Sequence, residues 1–497
     1  MALFDRFRRR RRRGLKTAGM APGRRTYEAA RRDRLFTSWI ASALTSDAQL
    51  RMALPVLRAR SRELAENADY ARRFLKLLRS NVVGPQGIAL KMRSRDERTG
   101  ELDPDANLRI EERWRAWCRR GACTVDGRLS FEDLQELTIE SVARDGELLL
   151  RKVRGFGNGF DFALQALEAD HLDETHFDVL ANGNEIRMGI EVNRWGRPVA
   201  YHVRTRHPGD DTVRGGGMLR EFERIPAEDL NHAYMAERPT QSRGVPWLHT
   251  AMTRINMLAG YEEAELVAAR LGASKMGFYK TETGQEYQGD DKDDAGNLIQ
   301  EAEPGVFEQL PKGWSVETFD PDHPTTAFAE FEKAIARGIS AGANLSTHVL
   351  TNDPTGVTYS TGRIFELIDR SYYQALQRWM ISTVVRPVFE DWLTIQLDAG
   401  HLPLPARKIE RFLAGARWQP RGWAWVDPQK EADGDRTAYA LGVKSLTEIA
   451  GEKGRDLEEV FEEIAAERKL AAALGIVIDA SGGKASAAAP PPAAMED

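Results

Sequence analysis

The sequence predicts an α+β fold, with helical runs on both sides of a strand-rich region. Apolar residues recur at spacings of three and four over residues 46–81 and 363–397, which is typical of helices that bury one face. Between Glu147 and Arg204 the pattern changes to short apolar runs separated by Gly and Asn turns, which favours strands. Because 497 residues are many for one compact domain, we expect two or more structural units.

Three helices are predicted before the strands, at residues 46–81, 106–120 and 130–144. The turn-forming segment Asn81–Gly87 ends the first helix. Ser130, with Asp133 three residues later, is close to a capping box and opens the third. Four strands should follow, at Glu147–Val153, Phe160–Leu167, Glu185–Val192 and Pro198–Arg204.

The second half of the chain predicts more helices, joined by short strands. Helices are expected over residues 244–271 and 327–344, and a terminal helical unit over 445–471. Strand-like pieces lie at Met276–Lys280, Gly305–Leu310 and Ser315–Phe319. The stretch at 401–428 reads as irregular, and the Gly, Ala and Pro content near the C-terminus predicts a disordered tail.

A polar loop, Thr351–Gly362, precedes a long helical run from Arg363 to about Leu397. Because Pro387 falls inside this run and removes a backbone donor, we expect a kink near Arg386. Two long helices joined by a polar loop can place that loop where a partner passes. One apolar stripe is predicted on the long helix, formed by Ile364, Ile368, Tyr372, Ala375 and Trp379.

The net charge of −5 hides a strong asymmetry. Residues 1–34 carry thirteen basic and three acidic side chains, a net charge of +10, which leaves −15 for the rest of the chain. Such an arm can bind polyanions by releasing counterions, or it can be a disordered, solvated tail with no dedicated partner. The candidate contacts to DNA or to a protein shell are Arg8, Arg9, Arg10, Arg11, Arg12 and Arg13.

Cysteine usage and hydropathy narrow the class of protein further. Cys118 and Cys123 are the two cysteines, too few for a disulfide scaffold or a four-cysteine zinc site. We therefore expect free thiols and a reducing compartment. No apolar run in the sequence approaches the ~20 residues of a membrane helix, so no membrane partner is predicted.

A search for catalytic motifs finds none that holds, so we predict neither an enzyme nor a cofactor. The sequence lacks a phosphate-binding Gly-x-x-x-x-Gly-Lys loop and a His-Glu-x-x-His helix. The cluster Asp170–His176 matches no standard metal spacing and is interpreted as a solvated connection. The acidic insert at 286–303 lacks the glycine and terminal glutamate of a calcium loop.

Several separated segments resemble the lambda-like family of phage portal proteins, in the family's order, over roughly residues 50–475. They are Ala59–Leu64 with Asn67 and Tyr70, Asn81–Gly84, Trp114–Trp117, Asp145–Glu147, Gln241–Leu248, Tyr359–Arg363 and Trp423–Glu431. Each segment alone is a weak to moderate signal. Thr361-Gly362 departs slightly from the family pattern, in which a serine or another small residue is usual.

The resemblance implies a non-enzymatic ring, usually dodecameric, at one vertex of a phage capsid. Double-stranded DNA is packaged and later ejected through the central channel. The implied partners are other copies of the chain, the terminase large subunit, the major capsid and scaffold proteins, and a tail adaptor. The ring would nucleate the procapsid in the host cytoplasm and remain in the virion.

The resemblance also implies a division of the subunit. After a basic arm (1–34) come a wing (35–245), a stem and clip (246–345), a tunnel loop (346–362), a long kinked helix returning to the wing (363–427), a crown (428–475) and a disordered tail (476–497). The tunnel loop would face DNA through Asn352, Asp353, Thr355, Thr358, Tyr359, Ser360 and Arg363. Its polar, mostly uncharged character suits a polymer that must slide, since a basic lining would hold a duplex strongly.

Two other functions remain open at this stage. An oligomeric nucleic-acid-binding protein could use the arginine-rich arm. A nuclease or hydrolase could use the Asp170–His176 cluster. The aromatic residues at 379–425 could form interfaces between subunits, or could equally be buried within one subunit.

Overall fold

The structure is a computed structural model that describes residues 34, 40, 42–210, 221–273, 277–281, 291–292, 298–299, 314–318, 328–423, 428–452 and 457–476. Predictions on the arm (1–33), the strand at Gly305–Leu310, most of the acidic insert and the C-terminal tail therefore lie outside the described residues.

Within the described residues, helices and strands alternate along the chain, and the α+β prediction is confirmed. The helices are α1 (Ser46–Asn67), α2 (Asp69–Leu78), α3 (Pro104–Cys118), α4 (Phe131–Asp145), α5 (Met252–Ala273), α6 (Phe328–Ala343), α7 (Thr347–Thr351), α8 (Tyr359–Met380), α9 (Arg386–Asp398), α10 (Ile409–Ala414), α11 (Pro428–Ala440), α12 (Leu446–Glu452) and α13 (Leu457–Ala473). Two π-turns, Arg79–Val83 and Ile381–Val385, extend α2 and α8.

The strands of the described residues form antiparallel sheets. They are β1 (Ala89–Met92), β2 (Glu147–Arg154), β3 (Phe162–Leu167), β4 (Asp178–Val179), β5 (Glu185–Arg187), β6 (Ile190–Val192), β7 (Pro198–Arg204), β8 (Phe222–Pro226), β9 (Leu230–Tyr234), β10 (Gly277–Thr281), β11 (Asp291–Lys292), β12 (Leu298–Ile299), β13 (Trp314–Thr318) and β14 (Ala416–Gln419). The sheet orders are β3-β2-β9, β4-β5-β6-β7-β8, β1-β14, β10-β13 and β11-β12.

Local signals in the sequence explain where several helices begin. The Ser130 side chain accepts from the Asp133 amide while the Asp133 carboxylate accepts from the Ser130 amide, so the predicted capping box is confirmed. Ser445 and Glu448 make the same reciprocal pair ahead of α12. The first predicted helix is broken in two, because Ala68 takes an extended conformation between α1 and α2.

The structure differs from the prediction in three stretches of the chain. Residues 185–192 form a hairpin instead of one strand, because Met188 and Gly189 adopt positive φ angles of 49° and 83°. The helix expected from residue 244 begins at Met252, since the preceding segment crosses other backbone. The irregular stretch at 401–428 contains α10 and β14.

One core joins α3, α4 and α9 to the three-stranded sheet. Trp114 lies at its centre, with ring centroids 4.9 Å from Trp117, 5.0 Å from Trp392 and 5.3 Å from Phe389. All four rings are buried. Burial in the subunit core therefore accounts for Phe389, Trp392 and Phe412, and Trp379, Trp418 and Trp423 are partly buried.

The long helical run is continuous from Tyr359 to Asp398, with a π-turn ahead of Pro387. Pro387 cannot donate to the Thr383 carbonyl four residues earlier. The side-chain amide of Asn231 in β9 (Nδ2) donates to that carbonyl instead, at 2.7 Å. The kink predicted near Arg386 stays a prediction; at this position the structure shows a π-turn tied to the sheet.

Candidate functional site

The candidate site is the loop 352–358, which joins α7 to α8. Ser346 precedes α7 and its amide donates to Asp369 of α8 at 3.1 Å, so the two helices are connected below the loop. Asn352 ends α7 in the left-handed conformation, with φ of 60°. The loop is thus held at a fixed starting point.

The loop is shorter than predicted at both ends. Thr347–Thr351 is helical, and α8 begins at Tyr359 instead of Arg363. The reason is an N-cap, because the Thr358 hydroxyl accepts from the Thr361 amide at 3.3 Å. Tyr359, Ser360 and Gly362 therefore belong to the first turn of a helix.

Arg73 of α2 holds the start of the loop through two hydrogen bonds. Its Nε donates to the Val349 carbonyl at 2.9 Å and its Nη2 donates to Asn352 Oδ1 at 3.1 Å. A guanidinium that bonds a helix end and a loop amide together fixes their relative positions.

Within the loop, Asp353 forms a local turn. Its Oδ1 accepts from the Thr355 amide at 2.9 Å, and hydrogen bonds from Thr355 lower the pKa of this carboxyl below its usual range. Gly356, with φ of 78°, supplies the left-handed residue of the next turn. The loop therefore contains two local turns, the second closed by the Val357 amide and the Pro354 carbonyl.

The predicted DNA-facing residues are brought together at one end of α8. Asn352, Thr355, Thr358, Tyr359 and Ser360 are exposed, while Asp353 and Arg363 are half-buried. Between residues 352 and 363 the charged side chains are Asp353 and Arg363. The surface is therefore polar and close to neutral.

A cleft of about 520 Å³ lies beneath the loop, lined by residues that include Val357, Tyr373, Trp423 and Asp369. Burial raises the pKa of the Asp369 carboxyl. Its Oδ2 and the Tyr373 hydroxyl lack a hydrogen-bond partner within the described residues. Both groups are at least nine-tenths buried, at 5% and 3% exposure.

The predicted apolar stripe of the long helix is divided between surface and core. Ile364 and Ile368 are 59% and 58% exposed, so this end of the predicted stripe lies at the surface of the described chain. Further along α8, Tyr373 and Met380 are buried instead. Helical periodicity identifies an apolar face, but it does not identify what covers that face.

Sequence reasoning missed a buried ion-pair cluster centred on Glu147 and Arg243, both 0% exposed. Arg243 Nη2 donates to Glu147 Oε1 at 2.6 Å, and His232 Nε2 lies 2.9 Å from Glu147 Oε2. Burial alone would raise the pKa of Glu147, but the charge of Arg243 and the His232 contact hold it well below its ordinary value. We call Arg58, Glu147, His232 and Arg243 the buried ion cluster.

Every donor of Arg243 is satisfied. Besides Glu147, the guanidinium donates to the carbonyls of Leu172, Met188 and Ala169 at 3.2, 3.0 and 3.0 Å. Arg58 of α1 completes the cluster with a 3.2 Å contact to Glu147. The sequence held a clue to this cluster, because Arg58, Glu147 and Arg243 lie in or directly beside three of the segments that carry the family resemblance.

The segment Asp170–His176 packs against α1, so its interpretation as a solvated connection is wrong. Arg58 contacts Glu174 at 2.7 Å and Arg62 contacts Asp170 at 2.5 Å. Leu172, which lies between Asp170 and Glu174 in the sequence, is fully buried. These ion pairs give the acidic residues a structural role.

Among the described residues, Glu168, Asp170 and His207 have ligand atoms within 4.8 Å of one another. The Arg62 guanidinium contacts both carboxylates of this group, at 3.4 Å to Glu168 and 2.5 Å to Asp170. A fixed cation already pairs with both carboxylates, so the group fits an ion-pair cluster better than a metal centre.

Two backbone segments cross beside the buried ion cluster. Gly146, with φ of 93°, would carry a Cβ 2.6 Å from the Gly244 carbonyl carbon. A Cβ on Gly244 would come 2.0 Å from the Gly146 oxygen. Glycine at both positions allows this approach, and the Trp247 amide then donates to the Ala143 carbonyl at 2.9 Å.

The turn at Asn81 joins the first helices to α8 and to Trp423. Gln377 Nε2 donates to the carbonyls of Asn81 and Arg421 at 3.2 and 2.9 Å. Trp423 Nε1 donates to Asn81 Oδ1 at 3.3 Å. These contacts connect two more segments of the resemblance, Asn81–Gly84 and the one that begins at Trp423, to α8, and they form one wall of the cleft.

The other candidates from the sequence are the arginine-rich arm, the acidic insert and the two cysteines. Arg8 to Arg13 and most of the 286–303 insert lie outside the described residues. Cys118 and Cys123 are buried free thiols, as predicted, and burial raises the pKa of both. Among the described helices, none is long and apolar enough to cross a membrane.

Comparison with known proteins gives consistent matches along the chain. The family model described as phage portal protein, lambda family, matches residues 32–377. The probable portal protein of Halomonas phage phiHAP-1 is 38% identical over 458 residues, which cover 91% of this chain and 88% of that protein. Portal protein B of Escherichia phage lambda is 20% identical over 469 residues, covering 86% of each chain.

Solved structures also resemble the chain at lower identity. A chain from the neck of an empty GTA particle, computed with C6 symmetry, has 16% identity and a TM-score of 0.44, covering 81% of this chain and 94% of that one. A chain from the virion of a native gene transfer agent particle has 14% identity and a TM-score of 0.43, covering 81% and 93%.

Proposed function

The chain belongs to the lambda family of phage portal proteins, and we propose that it forms a homo-oligomeric ring around a DNA channel. The ring, expected to be a dodecamer, sits at one capsid vertex of the virion after assembly in the host cytoplasm. It acts as a structural channel instead of an enzyme. Its proposed partners are double-stranded DNA, the terminase large subunit, the capsid and scaffold proteins, and a tail adaptor.

The observation that carries the channel proposal is the exposed, nearly neutral loop 352–358 on a rigid base. Arg73 and Ser346 hold its start, and the Thr358 cap fixes its end. A duplex presents one charge per ~1.7 Å of axis, so a strongly basic loop would grip it. Hydroxyl and amide groups can contact phosphates without stopping the movement of the DNA.

The proposed division of the subunit places the wing at 35–245 and the stem and clip at 246–345. Support comes from α5 and α6, whose intervening chain includes the antiparallel pair β10 and β13. The return of the long helix to the wing is supported by α9, which packs in the same core as Trp114. Helices α11, α12 and α13 form the proposed crown.

Negative-stain electron microscopy of the purified protein tests the ring, and Asp353→Lys tests the loop. We expect rings with a central channel from both the natural chain and the variant. The added cation should lower DNA packaging in an in vitro assay, because it strengthens the grip on phosphates. Glu101→Lys, an exposed change away from the loop, is the matched control and should package normally.

Monomers alone from the natural chain, with capsid and scaffold proteins present, would contradict the ring. Normal packaging by the Asp353→Lys variant would contradict the role of the loop while leaving the ring intact.

A second candidate, an oligomeric nucleic-acid-binding protein unrelated to packaging, is favoured by the +10 charge of residues 1–34. Deleting these residues should then abolish DNA binding. Rings that survive the deletion and still package DNA would exclude this candidate.

A further inference from the structure

The ribbon formed by β1 and β14 has one buried face and one charged face. Leu90 and Met92 are buried, whereas Lys91 between them is exposed, because successive strand residues point to opposite sides. Lys91 lies directly opposite Arg417 of β14, and Lys91 has no ion-pair partner among the described residues. Two like charges in directly opposite positions destabilise a strand pair, so this face favours an anion beside it.

The chain after β1 continues the charged face. The Arg93 amide donates to the Gly415 carbonyl at 2.8 Å, which keeps this segment beside the start of β14. By the same alternation Arg93 and Arg95 lie on the side of Lys91, and Ser94 between them is buried. We call the following four residues the basic ribbon face: Lys91, Arg93, Arg95 and Arg417.

Carboxylates from the end of the chain lie on the basic ribbon face. Glu462 of α13 contacts Arg95 at 2.8 Å, and Glu463 pairs with Arg93. These two contacts also confirm that both arginines point to the same side of the ribbon. The basic ribbon face therefore binds carboxylates in this structure, and an anion is the ligand that its chemistry fits.

In the part of the chain that the structure describes, α13 is held on the ribbon by charge. The hydrophobic clusters of the described residues contain no side chain from α11, α12 or α13. Phe461 and Ile464, on either side of the paired glutamates, are 51% and 37% exposed. The Arg95 and Glu462 side chains are themselves 45% and 38% exposed. Ion pairs this exposed are weak and are screened by salt, so the contact is readily reversed.

Resting on the proposed DNA channel, we propose that the basic ribbon face is a further contact for the phosphates of double-stranded DNA, and that α13 blocks it until DNA displaces the helix. A duplex carries one charge per ~1.7 Å of axis and releases counterions when it binds, whereas α13 pairs here through two carboxylates. DNA therefore competes effectively for the same arginines. The chain outside residues 1–34 has a net charge of −15, and the basic ribbon face concentrates four cations on that acidic body.

The test measures how tightly the full-length chain binds a short DNA duplex, by fluorescence anisotropy. Glu462→Gln combined with Glu463→Gln removes both carboxylates from the basic ribbon face. We expect this variant to bind the duplex about tenfold more tightly, because two exposed ion pairs no longer have to be broken. Circular dichroism verifies that the fold is unchanged. Equal affinities of the variant and the natural chain would overturn the proposal.

A matched variant controls for the change in net charge. Glu185→Gln combined with Glu223→Gln removes the same charge and breaks two exposed ion pairs elsewhere, those with Arg187 and Arg151. This control should bind the duplex within about twofold of the natural chain. A gain as large as that of the first variant would mean that net charge alone sets the affinity, and would overturn the proposal.

A quadruple variant locates the gain. Adding Lys91→Gln and Arg95→Gln to the two changes in α13 should remove the tighter binding, because the freed cations are then lost. A gain that persists in the quadruple variant would belong to another surface, such as the arm at 1–34, and would overturn the proposal.

Hydrogen exchange tests the displacement of α13 in the natural chain. Adding the duplex should make amides of α13 exchange faster, while amides of α3 keep their rates. Unchanged or slower exchange in α13 would show that the helix does not leave the ribbon, and would overturn the blocking role.

The remaining outcomes concern the partner and the ring. If the variant that lacks both glutamates gains affinity for a polyglutamate peptide but not for the duplex, the basic ribbon face binds an acidic protein segment, and the DNA proposal is overturned. Absence of rings in native mass spectra of the natural chain would overturn the proposed function. The affinity comparison is read on the subunit in either case, so the two failures are distinguishable.

Discussion

The motifs Gln241–Leu248 and Tyr359–Arg363 both carry the family resemblance, yet the fold places them in opposite environments. Arg243 in the first is 0% exposed, whereas Tyr359 in the second is 58% exposed. The first motif joins three parts of the chain, and the second ends a loop and begins a helix. A recognisable motif can therefore mark a contact that specifies the fold as readily as a surface that meets a partner.

The energetic consequences differ as well. Taking the Arg243 and Glu147 charges out of water is costly unless pairing and hydrogen bonds compensate for it. The guanidinium of Arg243 has a partner for each of its donors, so loss of one member leaves several groups unpaired. Changes at the exposed motif remove few contacts, and their effects should appear in assembly and packaging.

Arg243→Ala should give the largest loss of stability, because it leaves Glu147 buried without its main partner. We expect the free energy of unfolding to fall by about 3–5 kcal/mol, measured by denaturant titration of the whole chain. Arg151→Ala breaks the partly exposed pair with Glu223 and should cost less than about 1 kcal/mol. Equal losses from the two variants would contradict the importance of the buried ion cluster.

Gly146→Ala should have the next largest effect. Its new Cβ would meet the backbone of Gly244 and Val245 at 2.6 Å, and φ is already 93°. We expect a loss of about 2–3 kcal/mol in the same titration. Gly183→Ala is the matched control, because its φ is 81° with open space around it, and it should cost about 1 kcal/mol. Similar losses would indicate that the backbone crossing contributes nothing beyond the φ angle.

Thr358→Ala should have the smallest effect on stability. It removes the N-cap of α8, for an expected loss of about 0.5–1 kcal/mol. Hydrogen exchange at the Thr361 amide should become faster, because that amide loses its acceptor, while amides of α3 and α4 keep their rates. A global drop as large as that of Gly146→Ala would place the loop among the elements that specify the fold.

Local pattern predicted much of the helix and strand content, since periodicity and caps act over short stretches. Ser130 and Ser445 illustrate this, because each cap depends on a residue three positions away. The pairing of β1 with β14 joins distant segments, and no local pattern announces it. The break at Ala68 and the π-turns also depend on packing elsewhere in the chain.

The predicted DNA-facing role of the loop residues stays a prediction, and the structure shows only how these residues are arranged. Asn352 to Arg363 were grouped correctly because they are neighbours in sequence. The helix start was missed because the Thr358 cap was not recognised. The stripe that includes Ile364 was predicted as an apolar face, but periodicity does not indicate what covers such a face. The pairing of Arg243 with Glu147 depends on three-dimensional contact between segments far apart in sequence.

The Asn231 hydrogen bond to Thr383 anchors one end of the long helix to the three-stranded sheet. Beyond that bond, α8 extends for 22 residues, or ~33 Å at 1.5 Å per residue, before it reaches the loop. Contacts from Asp369 to Ser346 and from Gln377 to the Asn81 turn tie α8 to its neighbours along the way, so these elements should move together as one lever. A tilt of ~5° about the Asn231 contact would carry the tip sideways by ~3 Å over that length, so a slight rotation at the sheet is amplified at the loop 352–358.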